Sequence, residues 1–379
     1  MIKWWIMLDK LPVSIKTRKI LEKALDEPIS CEDANYLINV NGSDLFALIA
    51  TADYLREKIV GDKVTFINNC NINFTNVCTV KCGFCAFARN LNDKDAYILS
   101  DEEILKKASQ AVELGAREFC LMGGVLPEAD IEYYEYLLKL LKGEFPNVAI
   151  HGFSPTMIYD AALKSSISTD ESFKILKKAG LDTLPGTAAE ILTDRTRNLI
   201  CPSKVNVSKW IDIVKESHNN GIPSSATMMY GHVENTSERI EHLDILRKIQ
   251  AETKGFTEFI PMTFMYEYSP IYNAGERNLG ATGTEDLKLY AVARLMLQDM
   301  IPNIQVSWVK MGFKFAQVSL TAGANDLGGT LGGDELSEAS GAPDGVDASI
   351  EQLSNIVKNL GRLPIERNSK YSEFYPIDF

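Results

Sequence analysis

The sequence predicts an α/β chain: a TIM-like (β/α) barrel over residues 61–320, a helical extension before it (1–60) and a segment after it (321–379) that closes the barrel. Three observations carry this. Short apolar runs rich in β-branched and aromatic residues alternate with longer amphipathic runs, from Val64-Thr-Phe-Ile67 to Ile304-Gln-Val-Ser-Trp308. Helix-start signals such as Ser100-Asp-Glu-Glu103 and Ser168-Thr-Asp-Glu171, and stops at Gly115, Gly180 and Gly221, fall between the runs. The alternation repeats over about 250 residues, a length that favours a closed barrel over a doubly wound open sheet.

Taken in order, residues up to about 60 read as helical, with an N-cap signal at Ser30-Cys-Glu-Asp33 and a partial apolar stripe of Leu45, Ile49 and Leu55 before Gly61. Val64–Ile67 is a short strand, and Asn71-Ile-Asn-Phe-Thr-Asn76 leads into a cysteine-bearing loop. A helix from Ser100 to about Leu114 precedes the strand Glu118-Phe-Cys-Leu-Met122, which ends in Gly123-Gly124. A helix over Asp130–Lys142, the strand Val148–Phe153 and a helix from Ser168 to Gly180 follow. Next come Asp182-Thr-Leu-Pro-Gly186, a helix near Ala188–Asn198 and another at Ser208–Asn219. Ser225–Met229 and Phe256–Ile260 read as strands, Glu238–Glu252 and Glu285–Met300 as helices, and Ile304–Trp308 as the last strand. Beyond it, Thr321–Thr330 and Leu331-Gly-Gly333 are glycine-dense, and Ala348–Leu360 is helical. The glycine-dense stretch is open to two readings, a turn closing the barrel or a nest that binds an anion.

Composition narrows the class. A formal charge of -12 argues against a nucleic-acid surface, which needs clustered Lys and Arg. Met1–Leu8 is apolar but turns charged at Asp9-Lys10, so it is too short for a signal-peptide core. No run reaches the ~18 apolar residues of a membrane span. A cytoplasmic chain is expected. There, seven unevenly spaced cysteines speak for thiolate ligation rather than disulfides, with Cys31, Cys70, Cys120 and Cys201 isolated buried thiols.

The chemistry centres on Cys78-Thr-Val-Lys-Cys82-Gly-Phe-Cys85, which places three thiols within eight residues as CxxxCxxC. A 4Fe-4S cluster held by three thiolates leaves one iron open to a substrate or cofactor, the geometry that holds S-adenosylmethionine against a reducing cluster. A zinc site completed by a distant ligand, in a zinc-stabilised binding module, and three unrelated buried thiols are the bland alternatives. Phe84 can pack near an adenine, Gly123-Gly124 at a strand end admits close backbone approach, and Glu190 can accept from ribose hydroxyls. Each has an ordinary counterpart: a core aromatic, a turn, and a helix-start carboxylate. Active sites of such barrels form at the C-terminal strand ends, where the cysteines, Gly123-Gly124, His151, Glu190, Met228–His232 and Glu258 are expected to converge. His218 and His242 fall on helices and read as surface or packing residues.

Cys78, Cys82, Phe84 and Cys85 together resemble the radical S-adenosylmethionine (radical SAM) superfamily, and NINFTNVCTVKCGFCAF, LMGGVLP, HGFSP, LPGTAAEIL and TMMYGHVE resemble its branch of deazaflavin-forming and menaquinone-pathway enzymes. GFTEFIPMTF, NIQVSWVK and GANDLGGTL are most similar to the 5-amino-6-(D-ribitylamino)uracil–L-tyrosine 4-hydroxyphenyl transferase family, the second subunit of FO synthase. The menaquinone-pathway cyclase (dehypoxanthine futalosine cyclase type) is the neighbour to separate. It carries Gly-Gly-Gly-Ala-Glu where this chain has Pro185-Gly-Thr-Ala-Ala-Glu190. In this chain Gly123-Gly124 is followed by Val125, not by the Glu many radical enzymes carry.

The resemblance implies a radical-SAM-type barrel holding a 4Fe-4S cluster and S-adenosylmethionine. It implies that a deoxyadenosyl radical takes hydrogen from the amine of L-tyrosine, that the Cα–Cβ bond breaks, and that the p-hydroxybenzyl group joins the ribitylaminouracil ring. Methionine, 5'-deoxyadenosine and 2-iminoacetate are released. The partners it implies are the first FO synthase subunit (7,8-didemethyl-8-hydroxy-5-deazariboflavin synthase) and an electron donor. Substrate contacts are then expected from His151, Ser154, His232, Glu258, Asn325 and Asp326.

Overall fold

The computed structural model describes residues 12–273 and 280–377; the apolar opening at Met1–Leu8 lies outside them. Three helices come first: α1 (Ile15–Ala24), α2 (Cys31–Leu37) and α3 (Ser43–Val60). The side chains of Ser14 and Ser30 cap α1 and α2 by accepting from the amides of Thr17 and Asp33. Among the described residues, helices run through most of 15–60.

Strands β1 (Lys63–Ile67) and β2 (Asn69–Asn73) follow one another directly, so the cysteine loop leaves the second strand rather than the first. Then come α4 (Asp101–Glu113), β3 (Glu118–Met122), α5 (Ile131–Glu144), β4 (Ala149–Gly152), α6 (Pro155–Ser165) and α7 (Thr169–Ala179). The capping box at Ser100 and Glu103 is formed in both directions. Continuing, α8 (Asp194–Ile200), α9 (Val207–Asn219), β5 (Ser224–Tyr230), α10 (Thr236–Thr253) and β6 (Phe256–Thr263) keep the alternation. The chain ends through α11 (Pro270–Asn273), α12 (Gly283–Leu297), α13 (Trp308–Leu320), β7 (Asp326–Gly329), α14 (Glu335–Ala339), α15 (Ile350–Lys358), β8 (Leu363–Arg367) and β9 (Phe374–Pro376).

The strands pair in parallel as β2-β3-β4, β5-β6 and β7-β1-β8, with β9 antiparallel on β8. Single bridges join these groups in series: His151 to Thr183, Leu184 to Ser224, Phe259 to Ile304, and Gln305 to Asp326. Two expected strands, at 182–186 and 304–308, are therefore reduced to bridges. Trp308 starts α13 instead, and its indole N–H reaches the Gly329 carbonyl at 3.0 Å. The middle of the glycine-dense stretch forms strand β7. A side chain at Gly329 would put its Cβ 2.0 Å from Asn69 Oδ1, so glycine lets β7 close onto the start of β2.

The two unassigned histidines are core residues. His218 donates or accepts at Thr253 Oγ1 (2.7 Å) and Ser224 Oγ (2.8 Å), and His242 Nδ1 accepts from Leu192 N at 3.0 Å. No helix among the described residues is long and apolar enough to cross a membrane.

Candidate active site

Loop 74–89 carries the cysteines and is pinned on several sides. Thr75 bridges to Ile98, Cys78 N donates to Arg89 O (3.0 Å), Gly83 N to Ile200 O (2.8 Å), and Ile271 N to Gly83 O (2.9 Å). Cys78, Cys82 and Cys85 are free thiols that line one cavity, about 1160 Å³ of empty space partly open to solvent. Among the described residues, no three His, Cys, Asp or Glu side chains converge where a single metal ion could sit; the cysteines share a cavity without forming a closed single-ion shell. Burial pushes the Cys82 thiol up to about 12 against the pull of the Lys204 ammonium, and raises Cys85 as well. Loading of an iron site here therefore releases protons.

Phe84, Gly123, Gly124, Ser154 and Glu190 line the same cavity. Gly124 is forced: a Cβ there would meet the Val77 carbonyl oxygen at 2.1 Å and Cys78 Cβ at 2.9 Å. The next residue, Val125, donates its amide to Cys78 Sγ at 3.4 Å, so strand end and cysteine loop interlock. Ser154 caps α6, accepting from Met157 N at 3.3 Å. Glu190 does not open a helix. It sits in a loop at φ +45°, and α8 begins only at Asp194. Burial alone would raise its carboxyl, but the ion pair with Lys204, helped by Arg197 and His232, holds it below the usual value.

Lys204 escaped the sequence reading. It follows Cys201-Pro-Ser at the end of α8, pairs with Glu190 and stands 5.2 Å over the Phe84 ring. The signal was present as a cation two residues after a helix-breaking proline, but nothing in spacing ties it to Glu190. Arg197 braces the loop by donating to the carbonyls of Ala188, Ala189 and Val205. Removing Lys204 alone leaves a buried carboxylate unpaired, at a cost of about 3–5 kcal/mol. Lys204→Met is thus expected to lower the melting midpoint. Lys204→Met with Glu190→Gln should recover most of it in thermal melts, without recovering turnover.

Of the remaining candidates, His151 lies in β4 below the cavity with Nδ1 2.7 Å from Thr183 Oγ1. His232 is fully buried; Nε2 donates to Met229 O (2.8 Å) and Nδ1 accepts from Val233 N (2.8 Å), so both ring nitrogens are used by backbone. Glu258, Asn325 and Asp326 do not line the cavity. Asn325 accepts from Arg294 (2.9 Å) and from Ile304 N (2.9 Å), while Asp326 takes Arg367 (2.7 Å) and Thr65 Oγ1 (2.6 Å). Asp326 thus ties β7 to β1 and β8, and Asn325 ties it to α12 and Ile304, which is why an Asn-Asp pair sits among glycines. Glu258 is four residues before the cavity residue Met262 on β6, roughly 13 Å back along the strand.

Glu258 has its own consequence. Burial raises its carboxyl to about 7 despite nearby Arg367, with Asp326 and Glu118 adding to the rise, and its Oε2 has no partner. A raised carboxyl binds its proton better in the folded than in the unfolded chain, so stability falls as pH rises from the unfolded value through about 7. Glu258→Gln should raise stability at pH 8 by about 3 kcal/mol and leave it unchanged near pH 4, read from urea melts at both pH values.

The family model of the radical SAM superfamily matches residues 72–246, and that of the CofH/MqnC C-terminal region matches 253–377. A 5-amino-6-(D-ribitylamino)uracil–L-tyrosine 4-hydroxyphenyl transferase from Methanothermobacter thermautotrophicus is 50% identical over 361 residues, 95% of this chain and 98% of the relative. This chain belongs to that transferase family, within the radical SAM superfamily. A second transferase, from Methanocaldococcus jannaschii, is 46% identical over 92% of this chain and 98% of its own. Two solved structures share the fold. Methylornithine synthase superposes with a TM-score of 0.71 at 20% identity, covering 92% of this chain and 97% of that one. The FeFe-hydrogenase maturase HydG from Carboxydothermus hydrogenoformans reaches 0.73 at 16% identity, covering 94% and 81%. The zinc-module alternative falls away with this membership.

Proposed function

We propose that the chain joins the p-hydroxybenzyl group of L-tyrosine to 5-amino-6-(D-ribitylamino)uracil, releasing 2-iminoacetate, methionine and 5'-deoxyadenosine on the way to the deazaflavin coenzyme. The observation that carries the reading is the placement of all three CxxxCxxC thiols in one cavity with Gly123-Gly124 and the Glu190–Lys204 pair. The donor set fits a three-thiolate 4Fe-4S cluster, held by Cys78, Cys82 and Cys85 with one iron left to S-adenosylmethionine. When bound, these groups supply a low-potential electron and a hydrogen-abstracting carbon radical.

The chain's own residues bind, orient and exclude water. Gly124 lets the strand-end backbone reach the cysteine loop, and Phe84 offers an apolar face on the cavity wall. Glu190, kept ionised by Lys204, accepts hydrogen bonds from hydroxyls of the nucleoside portion. Met122, Met229 and Met262 surround the space with polarizable apolar surface suited to a phenol ring. The series of parallel pairings supports one barrel over residues 61–320, closed by 321–379 through β7 on β1. A cytoplasmic setting, an electron donor and hand-over to the first FO synthase subunit complete the reading.

The test is anaerobic incubation of cluster-reconstituted protein with S-adenosylmethionine, a reductant, tyrosine and the diaminouracil, read by mass spectrometry. Coupled product with 5'-deoxyadenosine is expected. Consumption of dehypoxanthine futalosine instead would reassign the chain to the menaquinone-pathway branch, which shares the CofH/MqnC C-terminal region by name.

A further inference from the structure

Below the methionines the interior turns polar. Asn73 pairs in register with Met122, and one level down Asn71 pairs with Cys120, Cys120 with His151, and His151 with Thr183. Laterally paired residues of a parallel sheet project to the same face, and Met122 lines the cavity. Asn71, Asn73, Cys120 and His151 therefore share the inward face beneath it. Asn71 (7% exposed) and Asn73 (2% exposed) each hold a buried Oδ1 with no hydrogen-bond partner. Cys120 and His151 keep partly accessible surface although protein surrounds them. His151 has Nδ1 engaged by Thr183, and burial holds the ring below its ordinary value, so it is neutral with Nε2 left for another partner.

The row itself carries no charge, and the two charges that act on His151 from below are already partnered, Glu118 by Asn69 Nδ2 at 3.2 Å and Arg367 by Asp326. Other charged groups lie higher on the wall. Glu190 and Lys204 neutralise one another, whereas Lys310, on the first turn of α13, has no carboxylate in ion-pair contact among the described residues. Its Nζ donates to Ser337 Oγ at 3.3 Å, and Asp334 acts on it only at a distance.

Unpartnered buried acceptors demand N–H or O–H donors, and a lone ammonium on the cavity wall attracts an anion. We propose that the cavity sorts its two substrates by charge: Lys310 takes the carboxylate of the zwitterionic amino acid, and the Asn71–Asn73–His151 floor takes the hydrogen-bonding edge of the neutral diaminouracil. This rests on the transferase reading. The floor disfavours the amino acid because its own side chains offer neither anion nor cation, and Glu118 and Arg367 beneath it are already partnered by Asn69 and Asp326. The uracil N–H and amino groups match the two amide acceptors, and the neutral imidazole meets a further donor or acceptor.

The test uses cluster-reconstituted enzyme, measuring KM for each substrate and Kd of the diaminouracil by calorimetry. Asn71→Leu should raise KM and Kd for the diaminouracil about tenfold or more while the tyrosine KM stays within about twofold. Lys310→Met should do the reverse. Asn71→Asp keeps the size, adds a charge to the floor and should give the same split as Asn71→Leu; equal melting midpoints and iron content show that the variants are folded. A variant that moves both constants together, or neither, overturns the inference while coupled product from the unaltered enzyme keeps the transferase reading standing. An unaltered enzyme that consumes neither substrate overturns both.

Discussion

Alanine at Cys82 is expected to leave a folded chain that retains little iron or sulfide and turns over more than about a thousandfold more slowly. The loss follows from the donor count. Three thiols line the cavity, and two cannot hold a cluster with one open iron. Folding should survive, because the loop is held by backbone bonds from Gly83, Cys78 and Ile271 rather than by the sulfur. Cys78→Ala and Cys85→Ala should behave alike. Cys201→Ala is the discriminating partner: this buried thiol packs in the same small apolar cluster as Cys82 and Phe84, yet does not line the cavity. It should keep iron, sulfide and most turnover. Iron and sulfide analysis of anaerobically purified variants decides the matter, and equal losses in Cys201→Ala and Cys82→Ala would refute the three-thiol assignment.

The candidate residues that share the cavity are those legible from local sequence. CxxxCxxC, Gly123-Gly124 and Ser154 act within a few positions of a strand end, and strand ends are visible as periodicity giving way to glycine and polar residues. Ser154 lines the cavity as expected, although its own helix α6 was not foreseen, since Pro155-Thr-Met-Ile lacks a strong stripe. Partnerships across long separations were invisible. Lys204 matters because a loop turn brings it to Glu190, and Asn325 is occupied because Arg294, on another helix, reaches it. Asp326 and Glu258 lie away from the cavity lining for one reason: a strand has two ends, and polarity does not say which one a residue occupies. The C-terminal strand β8 supplies Arg367 to Asp326, and a five-residue strand carrying Pro364 gives no pattern to find it by. Cys120 and Asn71 were missed for the related reason that inward-facing residues in mid-strand look like any other alternation.

Alanine at Gly124 should be nearly as damaging as loss of a cysteine, by a different route. The Gly124 amide donates to Thr75 O at 2.9 Å, Val125 N to Cys78 Sγ at 3.4 Å, and Thr79 N to Val125 O at 2.9 Å. These bonds lock the end of β3 against the cysteine loop. An added methyl would overlap the Val77 carbonyl, oxygen at 2.1 Å and carbon at 2.6 Å, and neither atom belongs to a side chain that can swing aside. The two backbones must separate, and an overpacked site of this kind costs about 3 kcal/mol. Separation also moves Cys78, whose Cβ lies 2.9 Å from the new atom, so cluster retention should fall together with stability. Gly143, inside α5 with nothing within 4 Å of its added Cβ, is the control. Gly143→Ala should melt slightly higher, by about 0.5–1 kcal/mol, because alanine favours the helix. A Gly124→Ala protein that keeps full iron and the parental melting midpoint would show that the strand end and the cysteine loop are not coupled through this contact.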